Sequence, residues 1–261
     1  LYDVTAGIFK PGEVSPGGGG VDVATVIASL PAHYQRETLP VSAKTSITLS
    51  ATTVNVGGSG YLLAGTAVNL ALTGSWDNSS PDYTVAANRA GKDFYIYACQ
   101  PVSGSVPVVK LSANSTVPDG YTASDSRKIG GFHCLCMDVG AISGHPLSGY
   151  LAGDILPASI WDLQHRPVCS PEGMVYSEQA NIWVDIYLQS GTGSSTASVN
   201  GAVITDIHTW MDHVDDLASV KKTLLDDIEF QIIAEGSNQR TNIVGSTDPN
   251  TSGGHTDTAG R

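Results

Sequence analysis

The residues best suited to metal binding lie in one short run, His133-Cys134-Leu135-Cys136. Thiolate and imidazole groups are the ligands that zinc prefers in proteins. In a β-strand, however, Cys134 and Cys136 point to one face and His133 points to the other. No second Cys/His pair follows at a ligand spacing. The run therefore favours small thiols that fill one face of a sheet, and we expect no metal site.

A second candidate is the histidine pair His208 and His213, which lies among the acidic residues of 206–216. At 3.6 residues per turn, a spacing of five places the two rings about 140° apart on a helix. A catalytic zinc helix instead carries its histidines at i and i+4. The pattern favours a solvated acidic helix face over a metal centre.

The carboxylates of Asp226, Asp227 and Glu229 are close enough in sequence for acid–base chemistry, but helix capping explains them more simply. The chain has no Gly-x-Ser-x-Gly elbow, phosphate loop or dinucleotide fingerprint. The glycine run Gly17–Gly20 does not qualify, because no strand precedes it and no lysine follows it. We expect no catalytic residue and no cofactor.

Charge and composition narrow the class of partner. The 261 residues include 13 Lys+Arg and 25 Asp+Glu, for a formal net charge of −12. Without a basic run, such a chain is a poor ligand for nucleic acid or for anionic lipid. No apolar run approaches the roughly 20 residues of a membrane span. Four cysteines are too few for a disulfide scaffold of this length, so we expect reduced thiols.

The N-terminal region predicts a short amphipathic helix over Val21–Tyr34, with apolar residues at spacings of three and four. The glycine-rich stretch before it predicts a flexible break. The sequence opens at Leu1 rather than at methionine, so we expect the numbering to start inside a longer or processed chain.

The region between Pro40 and Asp138 has the alternation and turn spacing of a β-sandwich or small barrel. Strands are predicted at Ile47–Ala51, Tyr61–Thr73, Phe94–Cys99, Val106–Leu111 and Ile129–Met137.

Beyond Arg166 the sequence predicts both strands and helices. Trp183–Leu188 alternates, which predicts a strand with Val184, Ile186 and Leu188 on one face. Helical spacing then predicts helices over Thr205–Val220 and Asp226–Glu235, the second capped by Asp226 or Asp227 and ended by Gly236. The polar stretch from Ser237 to Arg261 predicts loop.

From Asp93 to Ala234 a series of motifs resembles, in order, the phage major tropism determinants, which are receptor-binding tail proteins with a C-type-lectin-like C-terminal domain. The matching segments are Asp93–Cys99, Pro118–Thr122, Arg127–His133, Ile160–Leu163, His165–Pro167, Pro171–Met174, Trp183–Leu188 and Glu229–Ala234. The resemblance covers about residues 90–255.

The resemblance implies a mainly β fold with a small α/β part. It divides the chain into an N-terminal attachment segment with the short helix (1–39), a β-sandwich-like domain (40–145), and a linker with the first half of a C-type-lectin-like domain (146–261). It also implies a homotrimer. The family's variable receptor-binding segment would lie beyond Arg261, so no binding residue can be assigned within this sequence.

The function implied is non-enzymatic attachment to a host surface, by a tail fibre or another surface appendage of the virion. Other virion proteins would bind the N-terminal region, and the host receptor would bind the part beyond Arg261. Three alternatives stay open: a head fibre or decoration protein of the same family, an enzyme like the formylglycine-generating oxidases, and a bacterial surface adhesin of this fold.

Overall fold

The chain folds mainly into antiparallel β-sheets, as predicted. The computed structural model describes residues 2–3, 8–9, 39–101 and 106–235. The helix predicted over Val21–Tyr34 and the loop predicted over Ser237–Arg261 lie outside the described residues. The strands are β1 (Tyr2–Asp3), β2 (Ile8–Phe9), β3 (Val41–Ala43), β4 (Ser46–Leu49), β5 (Thr52–Val56), β6 (Ser59–Leu63), β7 (Thr66–Asn69), β8 (Asp93–Cys99), β9 (Val108–Ser112), β10 (Ser126–His133), β11 (Trp161–Asp162), β12 (Met174–Ser177), β13 (Ile182–Asp185), β14 (Gln189–Ser190) and β15 (Ala197–Ser198).

Three sheets build the central part of the chain. One contains β3, β4 and β7 in the order β3-β4-β7, and a second is the β5-β6 hairpin. The third has four strands in the order β11-β10-β8-β9. A single hydrophobic core lies between them and includes Leu49 of β4, Val54 of β5 and Phe94 of β8. The sheets therefore pack as the layers of a β-sandwich.

Strand β8 is buried on both faces. Phe94, Ile96 and Ala98 point into the sandwich core. The alternate residues Tyr95, Tyr97 and Cys99 form a separate cluster with Trp161, and Trp183 of β13 packs against it. Because successive strand residues face opposite sides, the same strand supports the sandwich and the C-terminal part of the chain.

The four-stranded sheet needs a glycine where β11 meets β10. Gly131 pairs with Trp161 across the two strands. A Cβ atom on Gly131 would lie 2.6 Å from two ring carbons of Trp161, too close for any other residue. This close approach fixes the position of the Trp161 indole.

Several predicted strands end earlier than their sequence patterns indicated. The predicted Tyr61–Thr73 segment is two strands, β6 and β7, with Leu72 beyond them and exposed. Strand β13 ends at Asp185, so the faces predicted for Trp183–Leu188 are wrong. Ile186 and Tyr187 are both buried because their amides donate to Gly173 and to the Ser198 hydroxyl instead of to a strand.

The two helices predicted near the C-terminus are shorter than expected, and a further short helix was not predicted. The helices are α1 (Ala86–Arg89), α2 (Trp210–Ser219) and α3 (Asp227–Ile233). Helix α2 begins at Trp210 rather than Thr205, because Thr209 and Asp212 form a capping box that fixes its first turn. Just before it, Ile207 has a φ of 55°, a left-handed conformation that is rare for a β-branched residue.

Candidate functional site

The His133–Cys136 run does not form the flat strand face that its spacing predicted. Strand β10 ends at His133, and the run then bends away. Cys134 enters the sandwich core, whereas Cys136 packs in a second cluster beside Tyr187. The prediction that both thiols share one sheet face is therefore wrong, because the strand period stops before the cysteines begin.

His133 belongs instead to a buried network with Asp93 and Tyr187. Its Nδ1 lies 3.0 Å from Asp93 Oδ1, and its Nε2 lies 2.8 Å from the Tyr187 hydroxyl. The same Asp93 oxygen accepts the backbone N–H of Gly173 at 3.0 Å. Since a carboxylate only accepts, Nδ1 donates to Asp93 and Nε2 accepts from Tyr187. The network joins β8 and β10 to the chain that follows β11.

The His133 and Tyr187 side chains are buried, and this limits the network to a structural role. The side chains of His133 and Tyr187 are each 2% exposed, so no substrate reaches either group. Burial, with neighbouring Cys136, raises the pKa of the Tyr187 hydroxyl far above its usual value. Although Asp, His and Tyr in this order can relay protons, here they hold two parts of the chain together.

Around His208 and His213 the predicted solvated acidic face is correct for Asp212 and Asp215, which are exposed, but wrong for Asp216. Asp216 is buried and accepts hydrogen bonds from the Gly193 amide (2.7 Å) and the Gln189 side chain (3.0 Å). The carboxylate therefore binds helix α2 to the loop that follows β14.

The two histidine rings lie together beside this carboxylate, with centroids 5.6 Å apart. His208 Nδ1 lies 3.3 Å from Asp216, and His213 Nδ1 donates to Gln189 Oε1 at 2.8 Å. His208 precedes α2 instead of lying on it, so helical spacing does not govern the pair. Across the described ranges, no group of three or more His, Cys, Asp or Glu side chains is placed to hold a metal ion.

The acidic residues at 226–229 are cap residues, as predicted. Asp226 is the N-cap of α3, and its side chain accepts the Glu229 amide at 2.7 Å. Glu229 in turn accepts the Asp226 amide at 2.9 Å, which completes a capping box.

Large apolar side chains are exposed in the C-terminal part of the described chain. Ile207 is 97% exposed, and Trp210 at the start of α2 is 67% exposed. Isolated exposed apolar residues are common, but this number within some 30 residues indicates a surface that another chain segment or subunit covers. The others in this part are Val199, Val203, Met211, Leu224, Leu225, Ile228 and Phe230.

No helix in the described part of the chain is long and apolar enough to cross a membrane.

The sandwich has a known counterpart. The family described as "Mtd second domain" matches residues 37–162, which include all three central sheets. Residues 37–162 are therefore similar to the second domain of the major tropism determinants. The resemblance seen in the motifs is thereby confirmed.

Individual relatives extend the likeness past the second domain. The chain is 27% identical over 190 residues to a tail fiber receptor-binding protein of Bordetella phage BPP-1. The aligned part is 64% of this chain and 48% of that protein, so the chain spans about half the length of this curated relative.

Solved structures of the major tropism determinant M1 and U1 variants superpose with TM-scores of 0.57 and 0.58, at 23% and 24% identity. Each superposition covers 83% of this chain and 59% of the other. At this identity the structures show the shared fold.

The residues that hold the C-terminal part of this chain in place were not predicted. Asp93, Tyr187 and Asp216 have partners 23 to 80 residues away, and no local spacing connects them. The one signal in the sequence is chemical: each is a polar group beside a mostly apolar stretch, where burial demands a partner.

Proposed function

We propose that this chain is part of a phage receptor-binding protein that attaches the virion to a host surface without catalysis. The observation that carries the proposal is the 190-residue alignment with a tail fiber receptor-binding protein, together with the second-domain match over residues 37–162. The protein is then a component of the virion, in a tail fibre or similar surface appendage.

The proposal keeps three parts, at residues 1–39, 40–145 and 146–261. The middle part is the β-sandwich, and Ile155, Ile160 and strand β11 from the start of the third part complete its core and its sheet. The N-terminal segment binds other virion proteins. We place the receptor contacts in the part of the curated relative that this chain does not match.

A homotrimer is part of the same proposal. The exposed apolar side chains between Val199 and Phe230 provide surface for contacts between subunits. Three copies on one fibre, and several fibres on one particle, convert weak individual contacts into firm attachment through effective concentration.

The chemistry of the described thiols supports a non-enzymatic role over an oxidase of similar fold. Burial raises the pKa of Cys99 to about 12 and raises the pKa values of Cys134 and Cys169. Reactive cysteines require the opposite shift, because the thiolate is the nucleophile and the metal ligand.

Immunogold electron microscopy of phage particles carrying this protein tests the attachment proposal. Antibodies against the chain should label the tail tip and should block adsorption to host cells. Label on the head would favour the head-fibre alternative. Label on a bacterial envelope without particles would favour the adhesin and would contradict the proposal.

Light scattering from the purified protein tests the trimer. A mass three times that of the chain at micromolar concentration is expected. A monomer under these conditions would contradict the trimer. It would not affect the proposed virion location, which the microscopy tests.

A further inference from the structure

A cleft of about 490 Å³ lies between the sandwich and the C-terminal part of the chain. On one side are Lys128 of β10 and Trp161 of β11. The other side is the loop between β11 and β12, which contributes Gln164, Arg166 and Glu172 among others. Its volume is within the range of small-molecule sites, and its lining includes both charged and apolar side chains.

Two cations share this cleft. Arg166 is exposed and makes no hydrogen bond or ion pair with the described residues. Lys128 donates to the Ser115 carbonyl at 2.6 Å and lies 4.6 Å from the centre of the Tyr95 ring. Burial lowers the pKa of Lys128, and repulsion from Arg166 lowers it further, against the attraction of Glu172. An anionic group between Arg166 and Lys128 would relieve this repulsion.

Hydrogen-bond acceptors for hydroxyl groups lie in the same cleft. The Glu172 carboxylate accepts from the Tyr95 hydroxyl at 2.7 Å and from the Ser170 hydroxyl. Burial alone would raise the pKa of Glu172, but these bonds outweigh it and hold the pKa below its usual value. The ionised carboxylate has acceptor sites left for further donors.

We propose that this cleft binds a small saccharide that carries a carboxylate or phosphate group. The Arg166 guanidinium binds the anionic group through paired N–H donors, and the Lys128 ammonium adds its charge. Sugar hydroxyls donate to Glu172, and the Gln164 amide supplies one further donor and acceptor. A simple inorganic anion would contact only the two cations, and a neutral sugar would contact only the hydrogen-bond acceptors. A ligand with both kinds of group uses the whole cleft.

Isothermal titration calorimetry on the full chain tests this proposal independently of the virion role. The probes are D-glucuronate for the carboxylate, glucose 6-phosphate for the phosphate, and glucose and inorganic phosphate as the matched half-ligands. At least one sugar acid or sugar phosphate should bind with a Kd below roughly 10 mM and more tightly than either half-ligand. The carboxylate and phosphate probes show which anion the cleft prefers.

The R166Q variant should weaken that binding by about tenfold or more, because it removes a charge-assisted contact. Its side chain has no partner in the described structure, so folding should be unaffected. The control is K221N, which removes one positive charge at an exposed site where φ is 62°, a conformation that Asn tolerates.

Four results would overturn the proposal. They are no binding of either anionic sugar, equal binding of glucose, equal binding of inorganic phosphate, and an R166Q affinity that matches that of K221N. The calorimetry does not depend on whether the antibodies label the virion. The saccharide proposal and the attachment proposal can therefore be contradicted independently.

Discussion

Both ring nitrogens of His133 are bonded in the interior, one to Asp93 and one to Tyr187. Removing the tyrosine hydroxyl leaves the buried Nε2 without its donor. We expect the Y187F variant to lose about 1–3 kcal/mol in the free energy of unfolding, the usual cost of an unsatisfied buried polar group. Urea denaturation followed by circular dichroism measures this loss.

The matched control is Y176F. The Tyr176 hydroxyl donates to Asn181 at an exposed site, where water replaces the lost partner. Its free energy of unfolding should change by less than about 0.5 kcal/mol. Equal stabilities for Y187F and Y176F would show that the His133 network does not hold the two parts together.

The lowered pKa of Glu172 predicts how the free energy of unfolding depends on pH. Its pKa in the folded protein lies below the ordinary value of 4.5, because the hydrogen bonds from Ser170 and Tyr95 outweigh burial. A lowered folded-state pKa contributes stability that is present above the unfolded-state pKa and is lost as pH falls through the folded one. The unfolding free energy should therefore decrease from about pH 5 downward.

The E172Q variant removes this titration, so its stability should decrease less steeply over the same pH interval. The exposed glutamate control, E178Q, should follow the unmodified protein. Denaturation at a series of pH values gives the three curves. Parallel curves for E172Q and the unmodified protein would rule out Glu172 as a source of the acid dependence.

At the scale of the elements, the Asp216 carboxylate joins helix α2 to β14 and the loop that follows it. Asp216 binds the Gly193 amide and Gln189 from the second-last turn of the helix. The D216A variant should lose about 1.5–3 kcal/mol, since hydrogen bonds to a buried charged group are stronger than neutral ones. The neighbouring exposed D215A should change stability by less than about 0.5 kcal/mol. Thermal unfolding of both variants makes the comparison, and equal melting temperatures would contradict this role.

The elements that were predicted correctly are those determined by residues that are close together in the sequence. A mostly aromatic and apolar run predicted a strand at Phe94–Cys99, and β8 spans Asp93–Cys99. The acidic run at 226–229 predicted a cap, and Asp226 is the N-cap of α3. Where alternation continued past a strand end, as at Trp183–Leu188, the prediction was wrong, because the bonds that turn Ile186 and Tyr187 inward come from distant residues.

The candidate sites were harder to predict than the strands. Lys128 and Arg166 share a cleft, yet they lie in two separate matching segments that are far apart in the sequence, and no local spacing connects them. The partners of His133 lie 40 and 54 residues away. The pairing of β8 with β10 brings Asp93 to His133, and the packing of the C-terminal part against the four-stranded sheet brings the other groups together.

For the whole molecule, the exposed apolar residues between Val199 and Phe230 predict where subunits associate. Trp210 is 67% exposed, so W210S should change the free energy of unfolding of the subunit by less than about 0.5 kcal/mol. The proposed trimer should dissociate at a concentration at least about tenfold higher in this variant, because buried tryptophans contribute strongly to interfaces. Sedimentation equilibrium measures the association constant.

The control for this prediction is L62S. Leu62 on β6 is 65% exposed but lies in the sandwich, outside the 199–230 region. The association constant of L62S should equal that of the unmodified protein. Matching association constants for W210S and L62S would place the subunit contacts elsewhere.

Strand β8 faces the sandwich core with one set of side chains and the Tyr95 cluster with the other. Deleting or inserting a single residue in it would turn every later side chain of the strand to the opposite side. Phe94 and Tyr95 would then exchange environments, and both clusters would fail together. Evolution can change the length of this protein in exposed loops such as 140–149, whereas β8 admits substitutions but no insertions or deletions.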